Sequence, residues 1–384
     1  MLDTGLTRRH LLAAMAGAGI GAALPAAAGG RAGATASKRG DAASARRPDS
    51  IGVALVGLGY YAGHLLAPGL QLTRNCHLAG IVTGTPAKIP EWQAKYGIAD
   101  RNVYSYDDFD RIADNPEIQA VYIVTPNDLH KPLALRAAAA GKHVWCEKPM
   151  AMNAAEAQEM IDACRAANVQ LAIGYRMQHQ PSTMQLRAMA KDKPYGRMLK
   201  VSADAGFHAY DDVDPANKPW RLLPQNGGGA MYDMGVYALQ GARYITGQEP
   251  VAVTARSEVH RPQLFEGVDE TTHFTLEFAD GLVAECSTSF GRDMNTLRAD
   301  CERGWYELSP FQTYDNIKGR TSDGKLIEDE GVLPHQQALQ MDNDALAILE
   351  KRPPRVPGEE GLRDMRVVDA VYASAREGGR RIVL

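Results

Sequence analysis

The sequence predicts a chain of mixed α/β and α+β class, with an N-terminal doubly wound parallel sheet and a C-terminal, mostly antiparallel open sheet. Three observations carry this. Short apolar runs rich in branched residues alternate with helical patterns up to residue 175. Beyond that point, alternating strand patterns follow one another with few helices between them. A Gly-rich turn closes the first apolar run, at the edge where open α/β sheets bind ligands. With 384 residues, 45% hydrophobic and 23% charged, the chain has material for two domains.

The first residues read as an export signal. Thr7-Arg8-Arg9-His10-Leu11-Leu12 sets a twin arginine before a weakly apolar run, and Pro25-Ala26-Ala27-Ala28 offers an A-x-A-like cleavage site. The run is too rich in Gly and Ala to hold a membrane span well, so residues 1–28 are expected to direct twin-arginine export to the periplasm rather than to anchor the chain. Residues 29–49, rich in Gly, Ala, Ser and Arg without a hydrophobic period, read as a flexible arm. A net charge of −4 and no basic stripe with interleaved aromatics argue against nucleic acid as a partner. The five cysteines are odd in number and widely spaced, forming neither a metal-ligand spacing nor a disulfide framework. They are expected as small core residues, and no metal is expected.

The first strand, Ile51 to Val56, ends in Gly57-Leu58-Gly59-Tyr60-Tyr61-Ala62 and runs into a helix. G-x-G-x-x-A in that setting is the dinucleotide (Rossmann) fingerprint, although glycines serving only a tight turn give the same pattern. A second strand at 78–82 ends in Thr83-Gly84-Thr85-Pro86-Ala87-Lys88. An NAD site would carry an acid here for the ribose hydroxyl. Hydroxyls, open amides and a lysine suit a 2′-phosphate instead, which favours NADP. The next strand, 120–124, leads through Thr125-Pro126-Asn127 to a helix carrying His130. The strand at 142–146 then enters Glu147-Lys148-Pro149, where a proline can aim a lysine into the crevice, through a cis bond if need be. Asn153 caps the following helix, with Glu156 completing a capping-box-like pair. A last strand, 169–174, ends in Tyr175-Arg176, which puts the nucleotide domain at 50–175.

The remainder, 176–384, reads as a domain for substrate and oligomerisation. Strands are expected at 198–207, 251–259, 271–278 and 282–290, with a hairpin turn at Ala279-Asp280-Gly281. Helices are expected at 336–350 and 361–377, able to pack back on the first domain. One face of the sheet needs a cover, so a homodimer or homotetramer is expected. Before that sheet come Trp220-Arg221, Gly227-Gly228-Gly229 and Asp233-Met234-Gly235-Val236-Tyr237. Asp233 and Tyr237 share a face if the segment is helical, either as a site or as an ordinary amphipathic surface. The Gly triplet allows close backbone approach or a mobile loop.

Taken in order, the glycine turn, Thr125-Pro126-Asn127 with His130, Glu147-Lys148-Pro149, Gly174-Tyr175-Arg176, Trp220-Arg221, the Gly triplet and D-x-G-x-Y resemble the glucose–fructose oxidoreductase and myo-inositol dehydrogenase superfamily. The resemblance spans 51–384, including Pro357-Gly358-Glu359-Glu360-Gly361. Most of that superfamily has His at the end of D-x-G-x-H; Tyr237 there resembles the glucose–fructose, or aldose, oxidoreductase branch. The resemblance implies tightly bound NADP, held by Gly57, Gly59, Tyr60, Tyr61, Ala62, Thr83, Thr85, Lys88, Thr125, Pro126, Asn127, His130, Glu147, Lys148, Arg176, Trp220 and Arg221. It implies a sugar held by Lys148, Arg176, Asp233 and Tyr237, with Lys148, Tyr237 and Asp233 catalytic. A phenol titrates near pH 10 unaided, so Tyr237 would need a cation such as Lys148 to act as a base. The arm, through Arg46-Arg47, would lock the nucleotide or serve only as a tether. An ordinary sugar or polyol dehydrogenase, an exported NAD-dependent glycosidase and a non-catalytic sensor are the competing readings.

Overall fold

The computed structural model describes residues 49–328 and 334–384. The expected leader and, but for Asp49, the arm with Arg46-Arg47 lie outside them.

Strands β1 (Ile51–Val56), β2 (Cys76–Val82), β3 (Val103–Tyr104), β4 (Ala120–Ile123), β5 (His143–Cys146) and β6 (Leu171–Ile173) form a six-stranded sheet. Its order is β3-β2-β1-β4-β5-β6 and every neighbouring pair is parallel. Parallel strands covered on both sides must be apolar on both sides, and β1 and β4 are buried throughout. One face packs Val121, Ile123 and Val144 against Ala137, Met160 and Ile161 of helices His130–Ala139 and Ala154–Ala166. The other packs Val53, Leu55, Tyr122 and Trp145 with Leu66, Leu70, Met341 and Ala345. Met341 and Ala345 belong to helix His335–Leu349, so a C-terminal helix returns to cover the first sheet. Strand order reverses between β1 and β4, and the crevice beyond their carboxyl ends is the ligand position in such sheets.

The second sheet contains β7 (Met198–Gly206), β8 (Pro250–Glu258), β9 (Thr271–Phe278), β10 (Val283–Ser289), β11 (Met294–Cys301), β12 (Gly304–Leu308), β13 (Lys318–Thr321), β14 (Leu326–Glu328) and β15 (Ile382–Val383). The order is β14-β13-β12-β11-β7-β10-β9-β8-β15, antiparallel except for the β7–β10 pair. The fold is therefore a Rossmann sheet followed by a separate, mostly antiparallel open sheet. Inward positions such as Val201, Ala203, Leu276 and Ala299 are buried. Outward positions carry ion pairs, Lys200–Glu285 at 2.6 Å and Arg298 and Arg320 on Glu307 at 3.2 and 2.8 Å.

Local signals behave with two adjustments. Asn153 Oδ1 accepts from the Glu156 amide at 2.9 Å, but Glu156 Oε2 reaches back to the Met152 amide at 3.2 Å, one residue before the cap. The Asp233 segment is a wider π turn, Met231–Gly235, that becomes α-helix only at Val236–Thr246. A second π turn, Ala62–Leu66, follows the glycine turn. Such turns widen a helix locally and recur where side chains must be re-aimed at a site. Both here lie at the crevice.

Candidate active site

The glycine turn is shaped to let a ligand approach backbone. Gly57 sits at φ +96°, and a Cβ there would lie 2.7 Å from Val124 O, so only glycine fits. A Cβ on Gly59 would meet nothing within 4 Å and the residue is exposed, so a ligand can come against it. Ala62 is fully buried and lets the helix pack on the sheet. Tyr60 stacks on His64 at 4.3 Å. At the end of β2, Thr85 is exposed and Lys88 Nζ donates to Leu58 O at 2.7 Å, which brings an ammonium to the glycine turn. Thr83 Oγ1 accepts from the Thr85 amide at 3.0 Å. On the β4 side, Thr125 Oγ1 is buried without a partner, an orphaned hydroxyl at the crevice edge. Open glycine backbone, an orphaned hydroxyl, a cation and no acid at the end of β2 fit a dinucleotide. Among the described residues no cluster of His, Cys, Asp or Glu could hold a metal ion, and no helix is long and apolar enough to cross a membrane.

Across the crevice the structure brings Lys148, Asp233 and Tyr237 together. The Lys148–Pro149 bond is cis. Lys148 Nζ donates to the Asp233 main-chain oxygen at 2.7 Å, lies 3.5 Å from Asp233 Oδ1, and sits 4.6 Å from the Tyr237 ring centre. Arg221 Nε reaches the same Oδ1 at 3.3 Å, and its guanidinium covers the Trp220 ring at 4.3 Å. Asp233 thus stands between two cations. Burial works to raise its carboxyl, yet Arg221 and Lys148 hold it below the usual carboxylate range. Burial likewise works to lower the Lys148 ammonium, and Tyr237, Asp233 and Glu147 together lift it above its ordinary value. Both groups remain charged while nearly closed off from water.

The Gly triplet is a close-packed joint. Gly229 adopts φ +114°, and a Cβ there would fall 2.3 Å from Asp269 Oδ1. Asp269 Oδ2 accepts from the Met231 amide at 2.8 Å and from Thr272, and so fixes the start of the turn that carries Asp233. Asn127 Nδ2 donates to Gly227 O at 2.8 Å, tying the nucleotide crevice to this joint, and Pro126 stands just before the turn Asn127–Leu129.

Three of the expected contacts have partners within the protein. His130, expected at the nucleotide, is fully buried, with its ring nitrogens 2.8 Å from Pro149 O and 3.1 Å from Thr125 O; it braces two loops and has no face on the crevice. Glu147 is also taken up inside the protein, accepting from Tyr122 at 2.7 Å. Burial lifts its carboxyl above the usual range against that bond and the Lys148 charge. Arg176, expected to touch nucleotide and sugar, is 1% exposed. Its guanidinium donates to Gln312 O, Thr313 O and Gln336 Oε1, and lies 5.5 Å from the Tyr237 ring and 4.7 Å from Tyr314. It supports Tyr237 from within.

Two further residues belong to the setting. Tyr314 covers Arg176 and stands 5.9 Å from Tyr61, ring to ring. Burial pushes the hydroxyls of both well up, so both stay neutral. Tyr122 underlies Glu147. Neither lies in a motif, and the sequence carried no signal for them beyond an aromatic in a loop and one in a strand.

Comparison with known proteins places the chain. Residues 51–175 match the GFO/IDH/MocA oxidoreductase family, with its NAD-binding Rossmann fold, and residues 183–307 match the GFO/IDH/MocA C-terminal domain. The chain is 39% identical to aldose–aldose oxidoreductase from Caulobacter crescentus, solved with glycerol, at a TM-score of 0.82 over 87% of this chain and 100% of that one. It is 26% identical over 326 residues to D-xylose 1-dehydrogenase (NADP(+)) of Haloarcula marismortui, covering 84% of this chain and 90% of that protein. An inositol dehydrogenase homologue from Azotobacter vinelandii, solved with NAD+, shares the fold at a TM-score of 0.77 and 18% identity, over 89% of this chain and 99% of that one.

Proposed function

The chain belongs to the GFO/IDH/MocA oxidoreductase family, in its aldose oxidoreductase branch, and on that premise we propose that it is an NADP-dependent sugar oxidoreductase. It oxidises an aldose at C1 to the lactone and reduces a second sugar carbonyl to an alditol, with the nucleotide retained throughout. The observation that carries this reading is the convergence of Lys148, Asp233 and Tyr237. The activities named for the Caulobacter and Haloarcula proteins support sugars as the substrate class and, for the second, NADP as the nucleotide.

Removing two hydrogens from an anomeric CH–OH needs a base for the hydroxyl proton. Tyr237 is that base. To take that proton Tyr237 must first be a phenolate, and Lys148 and Arg176, both set against its ring in a water-poor site, stabilise that charge until the proton arrives. Lys148 Nζ, three-donor and fixed by Asp233, polarises the reacting sugar oxygen. Asp233 in turn holds Lys148 and Arg221 at set positions. The Gly57–Ala62 turn with Thr83, Thr85, Lys88 and Thr125 would hold NADP, which when bound would supply the hydride acceptor. In the reducing half, Tyr237 returns its proton to the carbonyl oxygen of the second sugar, so no proton need exchange with solvent between the halves.

Thr85 and Lys88 at the end of β2, with no acid there, favour the 2′-phosphate. Retention of nucleotide suits export by the twin-arginine route, and assembly through the open sheet face as a homodimer or homotetramer completes the proposal. Mass spectrometry of nucleotide released by denaturing the purified protein tests it. Stoichiometric NADP(H) is expected; NAD(H) or no nucleotide would contradict it.

A further inference from the structure

Helix His335–Leu349 buries a polar stripe beside the apolar one that carries Met341 and Ala345. Gln336, Gln337 and Gln340 share one side, none more than 2% exposed, and each touches a different part of the site. Gln336 Oε1 accepts from Arg176, Gln337 Nε2 approaches the Tyr61 hydroxyl at 3.5 Å, and Gln340 Nε2 donates to the Tyr122 hydroxyl at 2.8 Å.

The third contact begins a directed chain. A tyrosine hydroxyl carries one proton. With Gln340 donating to the Tyr122 oxygen, that proton goes to Glu147 Oε1, 2.7 Å away. Glu147 Oε2 then faces the Lys148 amide at 3.3 Å. The pair is tightly enclosed: a Cβ on Gly174 would lie 2.7 Å from Glu147 Oε1 and 3.0 Å from the Tyr122 oxygen. This accounts for the glycine of Gly174-Tyr175-Arg176, which is needed for space. A buried carboxylate that loses a donor keeps its desolvation cost, so the chain has leverage on Glu147.

We propose that Tyr122, held by Gln340, is a positioning residue for the Glu147–Lys148 pair: its hydroxyl fixes the Glu147 carboxylate against the Lys148 backbone and so fixes where the ammonium meets Tyr237 and the sugar. This rests on Lys148 and Tyr237 being the reacting pair.

Tyr122→Phe keeps the ring, which packs edge-on against Trp145 at 5.9 Å and 84°, and removes only the hydroxyl. Bound nucleotide and the sugar KM are expected to stay unchanged, while kcat falls on the order of tenfold. The groups facing Glu147 are Tyr61, Tyr122, Cys146, Lys148, Arg176 and Tyr314. Of these, the Tyr122 hydrogen bond and the charges of Lys148 and Arg176 favour the carboxylate. Without the Tyr122 bond, the already raised Glu147 carboxyl moves further up, so the acidic limb of kcat shifts to higher pH. A carboxyl raised by folding contributes stability at low pH that is lost as pH rises through its folded value. The Tm gap between Tyr122→Phe and wild type should therefore widen as pH rises above about 4.3, the unperturbed Glu value.

Gln340→Leu, which frees the Tyr122 proton to turn elsewhere, should move the same limb in the same direction by less. Wild-type kcat and an unmoved acidic limb in Tyr122→Phe overturn the proposal. If Tyr122→Phe does not fold, an unmoved limb in Gln340→Leu does the same. Should the wild type turn over no sugar, the functional reading fails instead, and a Tm gap that does not change with pH still overturns the Tyr122–Glu147 link.

Discussion

The two walls of the crevice are built on opposite plans. The nucleotide wall is left open: Gly59 and Thr85 are exposed, and Thr125 keeps an unpaired hydroxyl. The facing wall is made of charged side chains that hold one another: Lys148 on Asp233, Arg221 on Asp233, Arg176 under Tyr237 and Tyr314. The difference follows from what each must do. A wall that holds a polyanion has to keep donors free for it. A wall that stabilises developing charge has to hold its own charges in place beforehand, out of water, because reorganising them during reaction would forfeit the gain.

Mutations that strike one wall and spare the other test this division. The largest effect belongs to the closed wall. Lys148→Met should lower kcat by roughly 10²–10⁴-fold while the protein keeps its nucleotide and its Tm within a few degrees; turnover assays and released-nucleotide analysis read the two sides separately. Loss of nucleotide in that variant would merge the walls into one. A smaller effect is expected from the open wall. Lys88→Ala should weaken NADP binding on the order of tenfold and leave NAD binding unchanged, as measured by fluorescence titration of nucleotide-stripped protein. Equal loss for both nucleotides would show that Lys88 serves the glycine turn alone, through Leu58 O.

The smallest effect is one of pH. Arg221 and Lys148 depress the Asp233 carboxyl, against its burial. A group so depressed contributes stability above its unfolded value, near 3.9, and that stability is lost as pH falls through the folded value. The Tm difference between wild type and Asp233→Asn should therefore be full at neutral pH and shrink toward zero in acid. A difference that stays constant in acid would mean that Asp233 stabilises by packing alone.

How far this was legible depends on where the information sits. β1 and the turn after it could be read because a strand covered on both faces must be apolar throughout, and because Gly57 is sterically obligatory. Lys148, Asp233 and Tyr237 could be nominated from short motifs, and the structure brings them together. β11 to β14 could not: their outward positions hold Arg298, Asp300, Glu307 and Arg320 in ion pairs, which leaves only half an apolar alternation, as at Leu297, Ala299 and Cys301. The surroundings of His130 are not legible locally, because a residue just past a crevice loop can turn to the ligand or into the core, and only packing decides. Tyr122 and Gln340 lie 218 residues apart and meet because a C-terminal helix returns to the first sheet, a contact no local pattern encodes.

In the proposed reaction one site, with its nucleotide retained, both oxidises and reduces sugars. The direct test is to give the purified protein a mixture of aldoses and ketoses with no added cofactor. Aldonate or lactone and alditol are expected in equal amounts, with many turnovers per chain, and none from Tyr237→Phe. Product formed only when NADP is supplied, or capped at one equivalent per chain, would contradict it.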